Sequence, residues 1–85
     1  MEIKIKEILG EKLITRDQIL DLRNYILEQK ERRIILDFSD VSFITFASYD
    51  EYLKVKNFLE KENFEISEIN FPQLFFPFEK IKNQK

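Results

Sequence analysis

Residues 33–38 read Arg33-Ile34-Ile35-Leu36-Asp37-Phe38, and this stretch decides the architecture. Ile34-Ile35-Leu36 is a continuous apolar run, too short for a helix and rich in β-branched side chains. It predicts a central strand buried on both faces. Upstream, Thr15-Arg16-Asp17-Gln18 has the capping-box pattern, in which a Thr hydroxyl accepts from a free helix N–H and a Gln three residues on reaches back. The helix it opens should run to about Lys30, with Ile19, Leu22 and Ile26 as its apolar stripe, widened by Leu20 and Leu27. Further upstream, Ile3 and Ile5 alternate with Glu2, Lys4 and Lys6, as in a strand with one buried face, and Gly10 marks a turn.

Downstream, Ser39-Asp40 makes a turn and Val41-Ser42-Phe43-Ile44 a short extended stretch. A second helix begins between Thr45 and Ser48. Ser48-Tyr49-Asp50-Glu51 is a second capping box, and Thr45 is the rival cap, which places Phe46 and Ala47 in the first turn. Tyr49, Tyr52, Leu53, Val55, Phe58 and Leu59 carry the helical pattern to about Glu62, and Asn63 is a stop. Phe64 to Ile69 alternates imperfectly, as an edge strand would. Pro72 is placed to open a last short helix, which Pro77 would cut.

Strands alternating with helices predict an α/β fold built on a mostly parallel or mixed sheet of about three to four strands, with two main helices and a short C-terminal helix. At least one face of that sheet should carry both main helices. A length of 85 residues suits one domain spanning 1–85.

Composition removes most catalytic equipment. With no cysteine and no histidine, thiol chemistry, Cys-based zinc sites, the Ser-His-Asp triad and the usual proton shuttle are absent. The single glycine, Gly10, cannot build a phosphate-cradling loop. Fourteen Lys+Arg against sixteen Asp+Glu, spread along the chain, forecast no nucleic-acid-tracking surface. No apolar run reaches the roughly 18–20 residues of a membrane span. The charged opening Met1-Glu2-Ile3-Lys4 is unlike a signal peptide, so a cytoplasmic location is expected. Neither a cofactor nor a metal is expected, and catalysis is disfavoured. The acidic pairs Asp50-Glu51 and Asp37/Asp40 lack the companions that acid–base or magnesium chemistry needs, and neighbours on a helix do not share a face.

The candidate binding residues are those that a parallel sheet gathers at its carboxyl edge, where ligands and partners of open α/β sheets dock. They are Asp37 and Ser39 after the central strand, Thr15 and Arg16 at the first helix start, and Thr45 and Ser48 at the second. Arg16 has the planar fork that grips carboxylates and phosphates. A hydroxyl at position 45 or 48 is a candidate phosphoacceptor, since a phosphate there would add about −1.5 to −2 charges. The aromatic tail supplies Phe75, Phe76 and Phe78 as a candidate dimer interface, with packing over the sheet edge as the alternative.

Residues 33–44, Arg33-Ile34-Ile35-Leu36-Asp37-Phe38-Ser39-Asp40-Val41-Ser42-Phe43-Ile44, resemble the signature of STAS domains, the anti-sigma-factor-antagonist and sulfate-transporter modules. The chain is closer still to the small prokaryotic "STAS-like" domains. Gly10, the Thr15-Arg16-Asp17-Gln18 helix start, Leu36 to Val41, and Ala47, Asp50, Glu51 and Leu53 all match that pattern in order. The resemblance covers about Gly10 to Phe71. It implies a regulatory binding module rather than an enzyme. Regulatory members dock a kinase-like anti-sigma partner and are switched by phosphorylation at the start of the second helix. Here Thr45-Phe46-Ala47-Ser48 replaces the usual switch turn, and the family's acceptor position falls near Ala47, which has no hydroxyl; Thr45 and Ser48 flank it. The expectation is therefore a module that binds a protein, with a kinase-like ATPase as the class of partner the resemblance implies. A small sensor of nucleotides or phosphates, using helix N-termini, and a structural dimerising subunit are the alternatives.

Overall fold

The structure is a computed structural model, and it describes residues 1–71. In chain order the elements are β1 (Glu2–Lys4), α1 (Ile5–Leu9), β2 (Lys12–Leu13), α2 (Arg16–Leu27), β3 (Arg33–Asp37), β4 (Phe43–Ile44), α3 (Phe46–Lys61) and β5 (Glu65–Ile69). The strands form two sheets, one of three strands ordered β1-β3-β5 and one of two, β2-β4. Every pairing is parallel. The fold is thus a small α/β domain with the Ile34-Ile35-Leu36 run at its centre, as its composition predicts.

The path explains where the core sits. From β1 to β3 to β5 the chain steps across the sheet in one direction. Right-handed crossovers taken in one direction leave both crossover helices on the same face. Accordingly α2 packs beside α3. Residues paired in register on parallel strands point to the same face, so Ile3 with Leu36 and Ile34 with Ile66 form the helix-covered side. Ile19, Leu22 and Ile26 of α2 and Tyr49, Tyr52, Val55 and Leu59 of α3 are the buried positions set against them. Each such side chain contributes roughly 1.5–3 kcal/mol on leaving water.

Several expectations change. The central strand is not buried on both faces. Ile34 and Leu36 are fully enclosed, but Ile35 is only half-buried, and its register partners Glu2 and Ser67 are exposed. Two crossovers on one side leave the other side to polar residues, which Glu2, Arg33, Glu65 and Ser67 supply. Ile5 is not a strand residue: the strand ends at Lys4, and Ile5 starts the five-residue α1, which Gly10 closes at φ 86°. The left-handed backbone there favours glycine. Helix α2 stops at Leu27 rather than near Lys30, because the Gln29 side chain donates to the Tyr25 carbonyl at 3.0 Å and satisfies a terminal acceptor. Asn63, at φ 72°, does end α3. The main sheet has three parallel strands, as expected, and β2 and β4 add a second, two-stranded sheet beside it. The short helix expected from Pro72 lies outside the described residues, as do Phe75, Phe76 and Phe78. No described helix is long and apolar enough to cross a membrane.

Candidate partner-docking edge

Because β1, β3 and β5 are parallel, the helices that carry the chain back from one to the next, α2 and α3, both begin toward the carboxyl end of that sheet. Thr15 caps α2 in extended conformation, and its hydroxyl accepts from the Gln18 N–H at 3.3 Å. Gln18 does more than close the capping box. Its carbonyl oxygen accepts from the N–H groups of Ile14 (2.7 Å) and Thr15 (3.0 Å). Its amide donates to the carbonyls of Leu9 and Lys12, both at 3.0 Å. One side chain thus fastens the end of α1, β2 and the start of α2 together.

Thr45, not Ser48, is the cap of α3. Its hydroxyl accepts from the Ser48 N–H at 3.1 Å and donates to the Ile14 carbonyl at 3.0 Å. Its own N–H donates to the Leu13 carbonyl at 2.9 Å, extending the β2-β4 ladder. The β2 strand and the α3 cap are therefore one unit. This register fixes Ser48 in the first turn, where its side chain is 0% exposed and its hydroxyl lies 3.0 Å from that of Thr45. The capping box expected at Ser48-Tyr49-Asp50-Glu51 does not form, because the helix has already started at Phe46.

Asp37, at the end of β3, is buried. Its Oδ1 accepts from the Asn70 side-chain amide and from the Ser39 N–H, each at 2.9 Å. These bonds, Asn70 first, hold its carboxyl below the usual aspartate range. Asp37 thereby pins two turns, since Asp40 and Asn70 both take left-handed backbone at φ 67° and 59°. Ser39 is half-buried and Asp40 exposed.

Arg16 does not reach out alone. Its Nη1 lies 3.1 Å from Glu51 Oε1 and 3.8 Å from Asp50 Oδ2, and Lys54 sits 3.4 Å from the same Asp50 carboxylate. The acids weighed as a catalytic pair are thus tied into a bridge between α2 and α3. Among the described residues no group of three or more His, Cys, Asp or Glu side chains is placed to hold a metal ion.

Of the six residues expected at this edge, Thr15 and Arg16 are exposed, Ser39 and Thr45 are half-buried, and Asp37 and Ser48 are buried. All six lie at or beside the carboxyl end of the strands. Three contributors were not visible beforehand. Asn70 follows β5 as a typical left-handed residue, but nothing local ties it to Asp37. The Arg16–Glu51 contact spans two elements. The outward reach of Gln18 depends on where α1 ends. A comparison of the chain with protein-family models, with curated proteins and with solved structures found no match.

Proposed function

We propose that this chain is a non-enzymatic regulatory module of STAS-like type that docks a protein partner through the carboxyl edge of its sheet. The observation that carries the reading is the locking of the two helix starts into one surface. Arg16 of α2 is bridged to Glu51 and Asp50 of α3, and Thr45 of α3 is bonded to Leu13 and Ile14. A pre-organised edge loses little entropy on association. Its exposed groups, Thr15, Arg16 and Asp40, with half-buried Ser39 beside them, offer donors and both signs of charge, which favour specificity and orientation. The same carboxylates beside Arg16 weigh against a free phosphate or nucleotide as the ligand, since they would repel it.

In this reading the buried half of the edge is support. Asp37 holds the turns, and Ser48 stiffens the first turn of α3. Phosphorylation of Ser48 would require that turn to open; of the two hydroxyls, Thr45 lies nearer the surface. A kinase-like ATPase is the partner class that the resemblance implies.

The test is affinity capture of the tagged chain from cells of its source, with quantitative mass spectrometry. Three baits are compared: the unmodified chain, Arg16→Ala with Ser39→Arg, and a control at the opposite end, Arg33→Ala. Arg16 is 51% exposed, and an exposed ion pair contributes about 1 kcal/mol or less, so its loss leaves the fold in place; circular dichroism checks that the double variant is folded. The expected result is a specific prey reduced at least about tenfold by the edge variant and retained by the control. Equal recovery with all three baits, or no specific prey, would overturn the proposal.

A further inference from the structure

Strand β5 lies at the edge of the three-stranded sheet, and its backbone groups alternate in direction. The Glu65 N–H donates to the Arg32 carbonyl at 2.7 Å, and the Ile69 carbonyl accepts from the Phe38 N–H at 3.0 Å. Residues 65, 67 and 69 therefore turn their backbone groups inward to β3. Ile66 and Glu68 turn theirs outward, and no strand of the described residues lies beyond them. Such an edge is a template for one more strand.

A groove of about 500 Å³ opens beside this edge, lined by Arg33, Glu60, Phe64, Glu65, Ile66 and Ser67. Its charge is unbalanced. Arg33 is already engaged by Glu65 at 3.3 Å, whereas Glu60 is exposed and enters no ion pair among the described residues. Glu68, next along the strand, is matched by Lys56 at 2.8 Å. The groove thus presents one uncompensated carboxylate beside the apolar side chains of Phe64 and Ile66.

We propose that the β5 edge takes an extended, basic peptide segment of a partner protein as an added strand of the sheet. Main-chain bonds to Ile66 and Glu68 supply the pairing, and side chains at alternate positions supply the selection. A Lys or Arg beside Ile66 lays its aliphatic stem along Ile66 and Phe64 and brings its charge to Glu60. The β5 strand of a second copy is a poorer occupant. It would bring another Glu65 and Glu68 to an edge that already carries both, and like charges across a ladder are destabilising. This surface is separate from the carboxyl edge and independent of what docks there.

The test titrates a synthetic peptide of alternating valine and lysine, blocked at both ends, into the full isotope-labelled chain and follows backbone amide resonances by NMR. Two further peptides are compared: one with glutamate in place of lysine, and one that keeps lysine but is N-methylated along its backbone. Glu60→Lys is paired with Asp21→Lys, an equal change of charge at an exposed position of α2, and the NMR spectrum shows whether each variant is folded. The expected result is saturable shifts centred on residues 64–68 with the basic peptide. Binding should be at least about fivefold weaker for both comparison peptides and for Glu60→Lys, and unchanged for Asp21→Lys. No saturable shift with the basic peptide, shifts centred elsewhere, or equal binding of the N-methylated peptide would overturn the proposal. Concentration-dependent shifts at residues 64–68 in the chain alone would overturn it in favour of a second copy at this edge.

Discussion

Asp37 shows how a residue in a candidate site can serve by holding rather than by touching. Its carboxylate joins Ser39 to Asn70 and so fixes the two turns that follow β3 and β5. Because its folded value lies below the ordinary one, the carboxylate stabilises the fold fully above about pH 4 and loses that contribution as pH falls through the folded value. Urea unfolding followed from neutral to acid pH should therefore show a steeper acid loss for the parent chain than for Asp37→Asn. Parallel profiles would contradict the role. Tyr52 is the opposite case. Burial, and then the Glu68 charge, push its phenol well above the ordinary range, so it stays neutral and donates to Glu68, which Lys56 also meets at 2.8 Å. Asp37 was legible as a strand-end acid in Leu36-Asp37-Phe38-Ser39. Its partner Asn70 was not, because a contact across 33 positions leaves no local trace.

At the scale of elements, caps were the most legible feature and their extra duties the least. Thr15-x-x-Gln18 was readable from spacing, and both halves of the box form. The same spacing at Ser48-x-x-Glu51 misled, since two caps competed and tertiary bonds decided. Thr45 also reaches Ile14 and Leu13, which Ser48 could not do from within the helix. Gln18 gives a quantitative test. If it acted only as half of a capping box, Thr15→Ala and Gln18→Ala would cost alike, about 1 kcal/mol. With four backbone groups depending on it, Gln18→Ala should cost about 2–3 kcal/mol and Thr15→Ala about 1. Chemical denaturation of the two variants checks the order, and equal or reversed values would refute the fastening role. The edge strand β5 carries its own safeguard, since Glu68 points to the covered face and is held there by Tyr52 and Lys56.

At the scale of the whole molecule, period and order sufficed for the class of fold. The apolar run at Ile34 gave the centre, and alternating elements gave parallel strands. What the pattern did not contain was the number of sheets. Lys12-Leu13 and Phe43-Ile44 are too short to show periodicity, and their pairing is set by the cap of α3. Nor did it reveal that one face of the main sheet stays polar, because Ile35 reads as core until the direction of both crossovers is known. The convergence of Thr15, Arg16, Ser39 and Thr45 on one edge follows from parallel strands and was foreseeable; the bridge from Arg16 to Glu51 was not. The most direct test of docking at this edge is amide hydrogen exchange of the free chain against its complex with the captured partner. Slowed exchange across residues 14–18 and 38–48 is predicted. Slowed exchange confined to the opposite end, at residues 28–33 and 60–66, would contradict it.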